Sequence, residues 1–138
     1  MISEVLFICG TLPFILLGTA HILFNLIDLK NPSKIVPVKE EITELMKSNF
    51  LKITKETTIW KAWVGFNISH GIGALFFGTI YMILAATDYS FLKNNTFLIF
   101  LAQFVSLIYF VLAVKYWFRI PVIGTLFGLI CFILSGSL

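Results

Sequence analysis

Four long apolar stretches dominate this chain of 138 residues. They cover residues 5–29, 60–86, 96–118 and 120–138. Each reaches or closely approaches the length of about 20 mainly apolar residues that an α-helix needs to cross the hydrocarbon layer of a bilayer. Because lipid offers no hydrogen-bond partners, backbone amides and carbonyls inside a membrane must be satisfied within a helix or a closed barrel. The sequence therefore predicts an all-α protein, a four-helix transmembrane bundle that forms a single domain over residues 1–138.

The composition supports the same class of protein. Hydrophobic residues make up 59% of the chain and charged residues 12%, whereas about a quarter of the residues in a soluble protein are charged. The first stretch lacks the basic start and the small-residue cleavage site of a secretion signal. We therefore expect it to be retained as a membrane span.

The basic residues predict the orientation of the spans. Nine of the ten lie in or next to the first and third connections, at Lys30, Lys34, Lys39, Lys47, Lys52, Lys55, Lys61, Lys115 and Arg119. Because cytoplasmic loops carry an excess of Lys and Arg, this face is expected to be cytoplasmic, with both termini outside a bacterial inner membrane. The basic residues flank spans and do not form a stripe with aromatic platforms, so membrane lipid is the expected partner and nucleic acid is not.

The long first connection carries an insert with helical periodicity at about residues 38–50. Its apolar residues are Val38, Ile42, Leu45, Met46 and Ile53. Acidic residues come early, at Glu40 and Glu41, and Lys47 comes late, as the helix dipole favours. The pattern predicts a cytoplasmic amphipathic helix. It either caps the end of the bundle or lies at the headgroup level, or else it docks a partner.

The first and second spans each carry a polar stripe with the spacing i, i+4 and i+7. The stripes consist of His21, Asn25 and Asp28 on the first span and of Trp63, Asn67 and His70 on the second. Residues at this spacing share one face of a helix. Polar side chains at membrane depth normally face protein or water, and they mark candidate functional sites.

Depth along the helices predicts that the two histidines lie at the same level. At a rise of 1.5 Å per residue, His21 lies about 6 Å and His70 about 5 Å to the cytoplasmic side of the centre of its span. Tyr109 on the third span and Thr125 on the fourth fall at a similar depth. The sequence thus predicts a polar layer that lines a ligand-binding pocket.

Small residues on the spans indicate close helix packing. They include Gly18, Gly71 and Gly73, and the fourth span carries Gly124 and Gly128 as a GxxxG pattern. Such residues let helix backbones approach each other. We expect packing within the bundle, with a homo-oligomer through the Gly124 and Gly128 face as the alternative.

Residues 57–71 read TTIWKAWVGFNISHG. This stretch resembles the signature of an uncharacterised family of small bacterial four-helix integral membrane proteins that carry TTxWxAWxGFNxSHG. The resemblance implies four helices, a histidine in the first and a long first connection. It carries over Trp60, Trp63, Asn67, Ser69 and His70, and it implies no activity, cofactor or substrate.

Three hypotheses account for the polar layer. In the first, His21, Asn25, Asn67 and His70 fix the polar end of a lipid-like or small apolar ligand, with or without proton transfer by an imidazole. In the second, the two histidines ligate haem, or bind a metal together with Asp28. In the third, the layer is structural, and the protein is an accessory or scaffold subunit of a larger membrane assembly.

Overall fold

A computed structural model describes residues 2–138 of the chain. Its elements, in chain order, are α1 (Ile2–Lys30), α2 (Glu40–Ser48), β1 (Phe50–Leu51), β2 (Thr54–Thr58), α3 (Ile59–Asn94), α4 (Thr96–Tyr116) and α5 (Arg119–Ser137). Helices α1, α3, α4 and α5 are long and apolar enough to cross a membrane. The all-helical architecture with four candidate spans is therefore confirmed, and it fits a multi-pass membrane protein.

Helix α3 runs beyond the predicted span and is interrupted at Asp88. The backbone of Asp88 is not helical, with φ −152° and ψ 79°. Its carboxylate accepts a hydrogen bond of 2.8 Å from the backbone N–H of Phe91. A side-chain oxygen that accepts from the amide three residues later is the geometry of a helix N-cap. Asp88 therefore ends the long helix and starts a short one, which includes Tyr89.

The insert differs from the predicted pattern, because its helix is followed by a hairpin. Helix α2 ends at Ser48, since Asn49 is extended, with φ −105° and ψ 146°. Strands β1 and β2 then pair antiparallel, with a register shift between Phe50 and Leu51. β2 reads TKETT, and β-branched threonines favour strands. Ile53 lies in the turn between the strands and does not continue the helical face.

The described residues divide into two compact units, residues 2–17 with 74–138 and residues 18–73. The first unit has an aromatic core. Phe7 packs on Phe132 with ring centroids 4.8 Å apart, and Phe14 packs edge-on against Phe77 at 4.9 Å. Aromatic pairs in these arrangements contribute beyond the area that they bury. This core holds the first half of α1 against the later helices.

The GxxxG pattern of α5 packs against α1 of the same chain. A Cβ atom placed on Gly128 would lie 2.9 Å from the carbonyl oxygen of Gly10 and 2.7 Å from the ring of Phe14. A Cβ on Gly124 would lie 2.9 Å from the side chain of Leu17. This face is therefore occupied by intramolecular packing, as the first of the two expectations has it.

A group of three hydroxyls joins α1, α3 and α5 in this first unit. Ser3 Oγ donates to the carbonyl oxygen of Ser135 at 3.0 Å, and Ser135 Oγ donates to the carbonyl oxygen of Ser3 at 2.8 Å. The hydroxyl of Tyr89 contacts both serine hydroxyls. Because the Tyr89 hydroxyl has one proton, it can donate to one of the two serine oxygens at a time. We call these three residues the serine clasp.

Candidate functional site

The candidate site lies in the unit of residues 18–73, where α1 and α3 approach closely. A Cβ atom on Gly71 would lie 2.7 Å from Cγ1 of Ile22 and 3.1 Å from the carbonyl oxygen of Gly18. Real Cβ atoms essentially never approach within 3.0 Å of another heavy atom. Glycine at position 71 is therefore required for this approach. It directly follows His70, so the close contact sets the spacing of the two histidine-bearing faces.

Asn67 links the two helices and fixes the orientation of His21. Its side-chain nitrogen donates to the carbonyl oxygen of Trp63 at 2.8 Å, which turns its Oδ1 towards His21. The distance between that oxygen and His21 Nε2 is 3.0 Å. Because a carbonyl oxygen only accepts, His21 must donate from Nε2. The neutral ring of His21 then carries its lone pair on Nδ1.

The two imidazoles are direct neighbours. The ring centroids of His21 and His70 lie 5.4 Å apart, with an interplanar angle of 74°. His70 also stacks on Phe66, one turn earlier in α3, at 6.4 Å and 14°. Both histidines are half-buried, whereas Phe66 is 69% exposed. The structure thus brings together the two rings that the depth arithmetic predicts to be level.

Asn25 belongs to the same face of α1 and is more deeply buried than the histidines. Its side chain is 3% exposed, and its nitrogen donates to the carbonyl oxygen of His21 at 2.8 Å. Asn67 makes the same bond on α3, to the carbonyl four residues earlier. Each asparagine therefore tethers its amide to its own helix. Only Asn67 also reaches across to the neighbouring helix through a bond that the structure describes.

Asp28, the third residue of the α1 stripe, serves a different purpose. Its Oδ1 accepts from the backbone amides of Ser33 and Lys34 at 2.8 and 2.7 Å, and its Oδ2 accepts from Ile35 at 2.6 Å. Hydrogen bonds to a charged acceptor are stronger than neutral ones. The carboxylate therefore folds the start of the insert back onto the end of α1. Asp28 therefore has a structural role at this junction, and its predicted place in a ligand site stays a prediction.

Trp63 lies at the edge of the insert. It is 39% exposed and lines a shallow groove of about 320 Å³ together with Ile35, Val36, Pro37 and Met46. A second apolar groove, of about 490 Å³, lies between α2 and the hairpin. Neither groove is lined by a histidine. The predicted pocket around His21 and His70 is therefore neither of these two grooves.

Tyr109 belongs to the other unit. Its ring packs edge-on against Phe14 at 5.6 Å and lies nearly parallel to Phe77 at 6.5 Å. These contacts make Tyr109 part of the aromatic core. Thr125, also predicted for the polar layer, donates to the carbonyl of Pro121 within its own helix at 2.8 Å. Both residues have structural roles within that unit.

The surroundings of the histidine pair bear on the haem and metal hypothesis. The two rings are direct neighbours, and α1 and α3 approach closely at Gly18 and Gly71. The carboxylate of Asp28 is engaged by three backbone amides. Across residues 2–138, no three His, Cys, Asp or Glu side chains lie close enough together to hold a metal ion.

Comparison of the chain with protein-family models, with curated protein sequences and with solved structures gives no match. The resemblance of residues 57–71 to a family signature therefore stays a hypothesis. The site must be interpreted from its own contacts.

Proposed function

We propose that His21, Asn67 and His70 bind the polar end of a small lipid-like molecule at the surface shared by α1 and α3. The observation that carries the proposal is the pair of adjacent, half-buried imidazoles, 5.4 Å apart, on helices apolar enough to lie in a membrane. Polar groups at such a position are costly unless they have partners, and they mark binding sites by default. The exposed ring of Phe66 beside His70 offers an apolar surface for the rest of the ligand.

The hydrogen bond from His21 to Asn67 bears on the kind of polar head that the ligand would have. Because Nε2 of His21 is the donor to Asn67, this bond fixes the tautomer of the neutral ring. A fixed tautomer is also what proton transfer by a histidine requires. We propose a ligand with a neutral hydroxyl head, because a hydroxyl can both donate to and accept from an imidazole. Proton transfer between His21 and the bound ligand is a further step of this proposal, and it would be tested with the same ligand.

We further propose that the chain lies in a bacterial inner membrane, with the insert on the cytoplasmic side and both termini outside. The support is the distribution of charge, since nine of ten basic residues flank one set of span ends. A cysteine introduced at Ser48, in the exposed part of α2, tests this topology. A membrane-impermeant maleimide should label it in inverted vesicles and not in intact cells. Labelling in intact cells would instead indicate that the insert lies outside the cytoplasm.

A second candidate is an accessory or scaffold subunit, in which the polar layer only holds helices together. The specific observation in its favour is that Asn67 uses both its nitrogen and its oxygen within the protein. Interhelical bonds of this kind contribute about 0.6 to 2 kcal/mol each. Under this hypothesis, removal of either imidazole lowers stability, and added amphiphiles leave the rings unperturbed.

Nuclear magnetic resonance of the imidazole nitrogens distinguishes the two candidates. The chain has only two histidines, so each ring is assigned by one substitution. In nanodiscs, titration with mono-oleoyl glycerol should shift the ring signals saturably, whereas dodecane, which has no polar head, should not. His70→Phe keeps an aromatic ring beside Phe66 and should abolish the shift at His21. Unchanged spectra with mono-oleoyl glycerol and with total bacterial lipid extract would refute ligand binding.

A further inference from the structure

The groove between α2 and the β1–β2 hairpin is open and apolar. It is lined by Ile42, Leu45, Met46, Asn49, Phe50, Leu51, Lys52 and Ile59. Leu45 is 60% exposed, and Phe50 is 53% exposed. The hairpin turn next to it carries Ile53, which is 89% exposed. A short insert that exposes this much apolar surface needs a partner of matching chemistry.

The charges around the groove are arranged asymmetrically. Lys52 lines the groove, and Lys55 lies just past the turn that carries Ile53. On α2, the groove face holds Ile42, Leu45 and Met46. Because each residue of a helix advances about 100° around its axis, Glu40 and Glu44 fall on the opposite face. The groove side of the insert is thus apolar with Lys52 beside it, and Glu40 and Glu44 face away from it.

The insert is connected at both ends to helices that are candidate membrane spans. The connection that carries the insert and the hairpin runs from the end of α1 at Lys30 to the start of α3 at Ile59, so both of its ends are attached to candidate membrane spans. A bilayer surface is therefore always within reach. Basic residues attract anionic headgroups, and apolar side chains enter the boundary between headgroups and acyl chains.

We propose that the hairpin turn and the groove form a docking surface for anionic phospholipid. Ile53, Leu45 and Phe50 enter the headgroup boundary, and Lys52 and Lys55 lie against the phosphates. The acidic face of α2, with Glu40, points away from the bilayer. The proposal does not depend on a ligand at His21 and His70, and it depends on α1 and α3 crossing a membrane.

Fluorescence quenching by lipid tests this surface on the full chain. Cys9 and Cys131 are changed to Ala, and a bimane label is attached at Ile53→Cys or, as the matched control, at Glu40→Cys. Each protein is placed at one copy per nanodisc, with lipids that carry a nitroxide near the headgroup. In discs that contain phosphatidylglycerol, the label at position 53 should be strongly quenched and the label at position 40 should not.

The charge requirement is tested with Lys52→Gln and Lys55→Gln. Each lysine removed should lower the equilibrium constant for the lipid-bound state about fivefold. Discs of phosphatidylcholine alone should give the same loss as the variant that lacks both lysines. Circular dichroism of each variant confirms that the helices are retained. Equal quenching at positions 53 and 40, or quenching that ignores lipid charge, overturns the proposal. A response only in discs with two copies would assign the surface to a second chain and overturn it too.

Discussion

His21 and Asn67, 46 positions apart in the chain, are joined by a hydrogen bond of 3.0 Å. The bond crosses from α1 to α3 at the place where Gly18 and Gly71 bring the two helices together. It places one imidazole in a defined orientation, and the neighbouring imidazole of His70 packs edge-on against it. Stability and any binding at this site therefore depend on the same few contacts, which can be altered one at a time.

Substitution Asn67→Leu keeps the approximate volume of the side chain and removes the acceptor of His21. We expect the free energy of unfolding to fall by about 0.6 to 2 kcal/mol, the range for hydrogen bonds between membrane helices. Ser69→Ala is the control, because Ser69 is exposed and its hydroxyl bonds only to the carbonyl of Phe66 in its own helix among the described contacts. Denaturation in mixed micelles measures both. Equal losses for the two variants would contradict a special role for Asn67.

Two glycines of α3 provide a matched pair for helix packing. Gly71→Ala places a Cβ atom against Ile22 and Gly18, and we expect a loss of about 1 to 3 kcal/mol, as for other overpacked sites. Gly65→Ala meets nothing within 4 Å, so the better helix propensity of alanine should raise stability by about 0.5 to 1 kcal/mol. Thermal unfolding in nanodiscs measures the two shifts. The prediction fails if both substitutions change stability in the same direction.

Asp28→Asn should open one part of the junction between α1 and the insert. The amide side chain can still offer one oxygen to Ser33 and Lys34, but its NH₂ group then faces the amide of Ile35. We expect faster hydrogen exchange at Ile35, because a hydrogen bond to a charged acceptor, worth about 1.5 to 3 kcal/mol, is lost.

Asp28→Ala extends the test of this junction. It removes all three acceptors, so exchange should accelerate at Ser33, Lys34 and Ile35 alike. The amide of Asn49, which bonds to Leu45, is the internal control and should be unchanged in both variants. If the amides of residues 33–35 exchange as slowly in Asp28→Ala as in the original protein, the carboxylate does not hold the junction.

The serine clasp predicts energetic coupling between the two ends of the first unit. Ser3→Ala and Ser135→Ala should each destabilise the protein, and the double variant should lose less than their sum. We expect a coupling energy of about 0.5 to 3 kcal/mol from the double-mutant cycle. Ser137→Ala replaces Ser135→Ala in a control cycle, because its exposed hydroxyl bonds to Ile133 in the same helix. Additive losses in the first cycle would show that the clasp contributes no coupling.

The sequence predicts the spans well, because a membrane imposes one strong rule on every helix that crosses it. Hydropathy and length locate α1, α3, α4 and α5, and counting the rise along α1 and α3 predicts that His21 and His70 lie level. The contact of the two rings also needs the helices to face each other. Gly18 and Gly71 indicate which faces of the two helices meet, since each is a small residue within three positions of a histidine.

Other features follow from contacts that periodicity does not contain. The hairpin is not predicted, because Ile53 continues the spacing of the apolar residues in α2. The threonines of β2 are the signal that favours a strand there. The role of Asp28 depends on how the backbone of residues 33–35 turns, which no spacing along α1 specifies. Tyr109 has the predicted depth on its helix, but its ring packs on Phe14 and Phe77, because aromatic packing decides its direction.

The serine clasp also constrains how this protein is made. Ser3 and Ser135 are 132 positions apart, so α1 leaves the ribosome long before the residue that contacts Ser3 is synthesised. Until α5 has been synthesised, the hydroxyl of Ser3 must find another partner. The start of α1 can therefore reach its final contacts only after translation of α5.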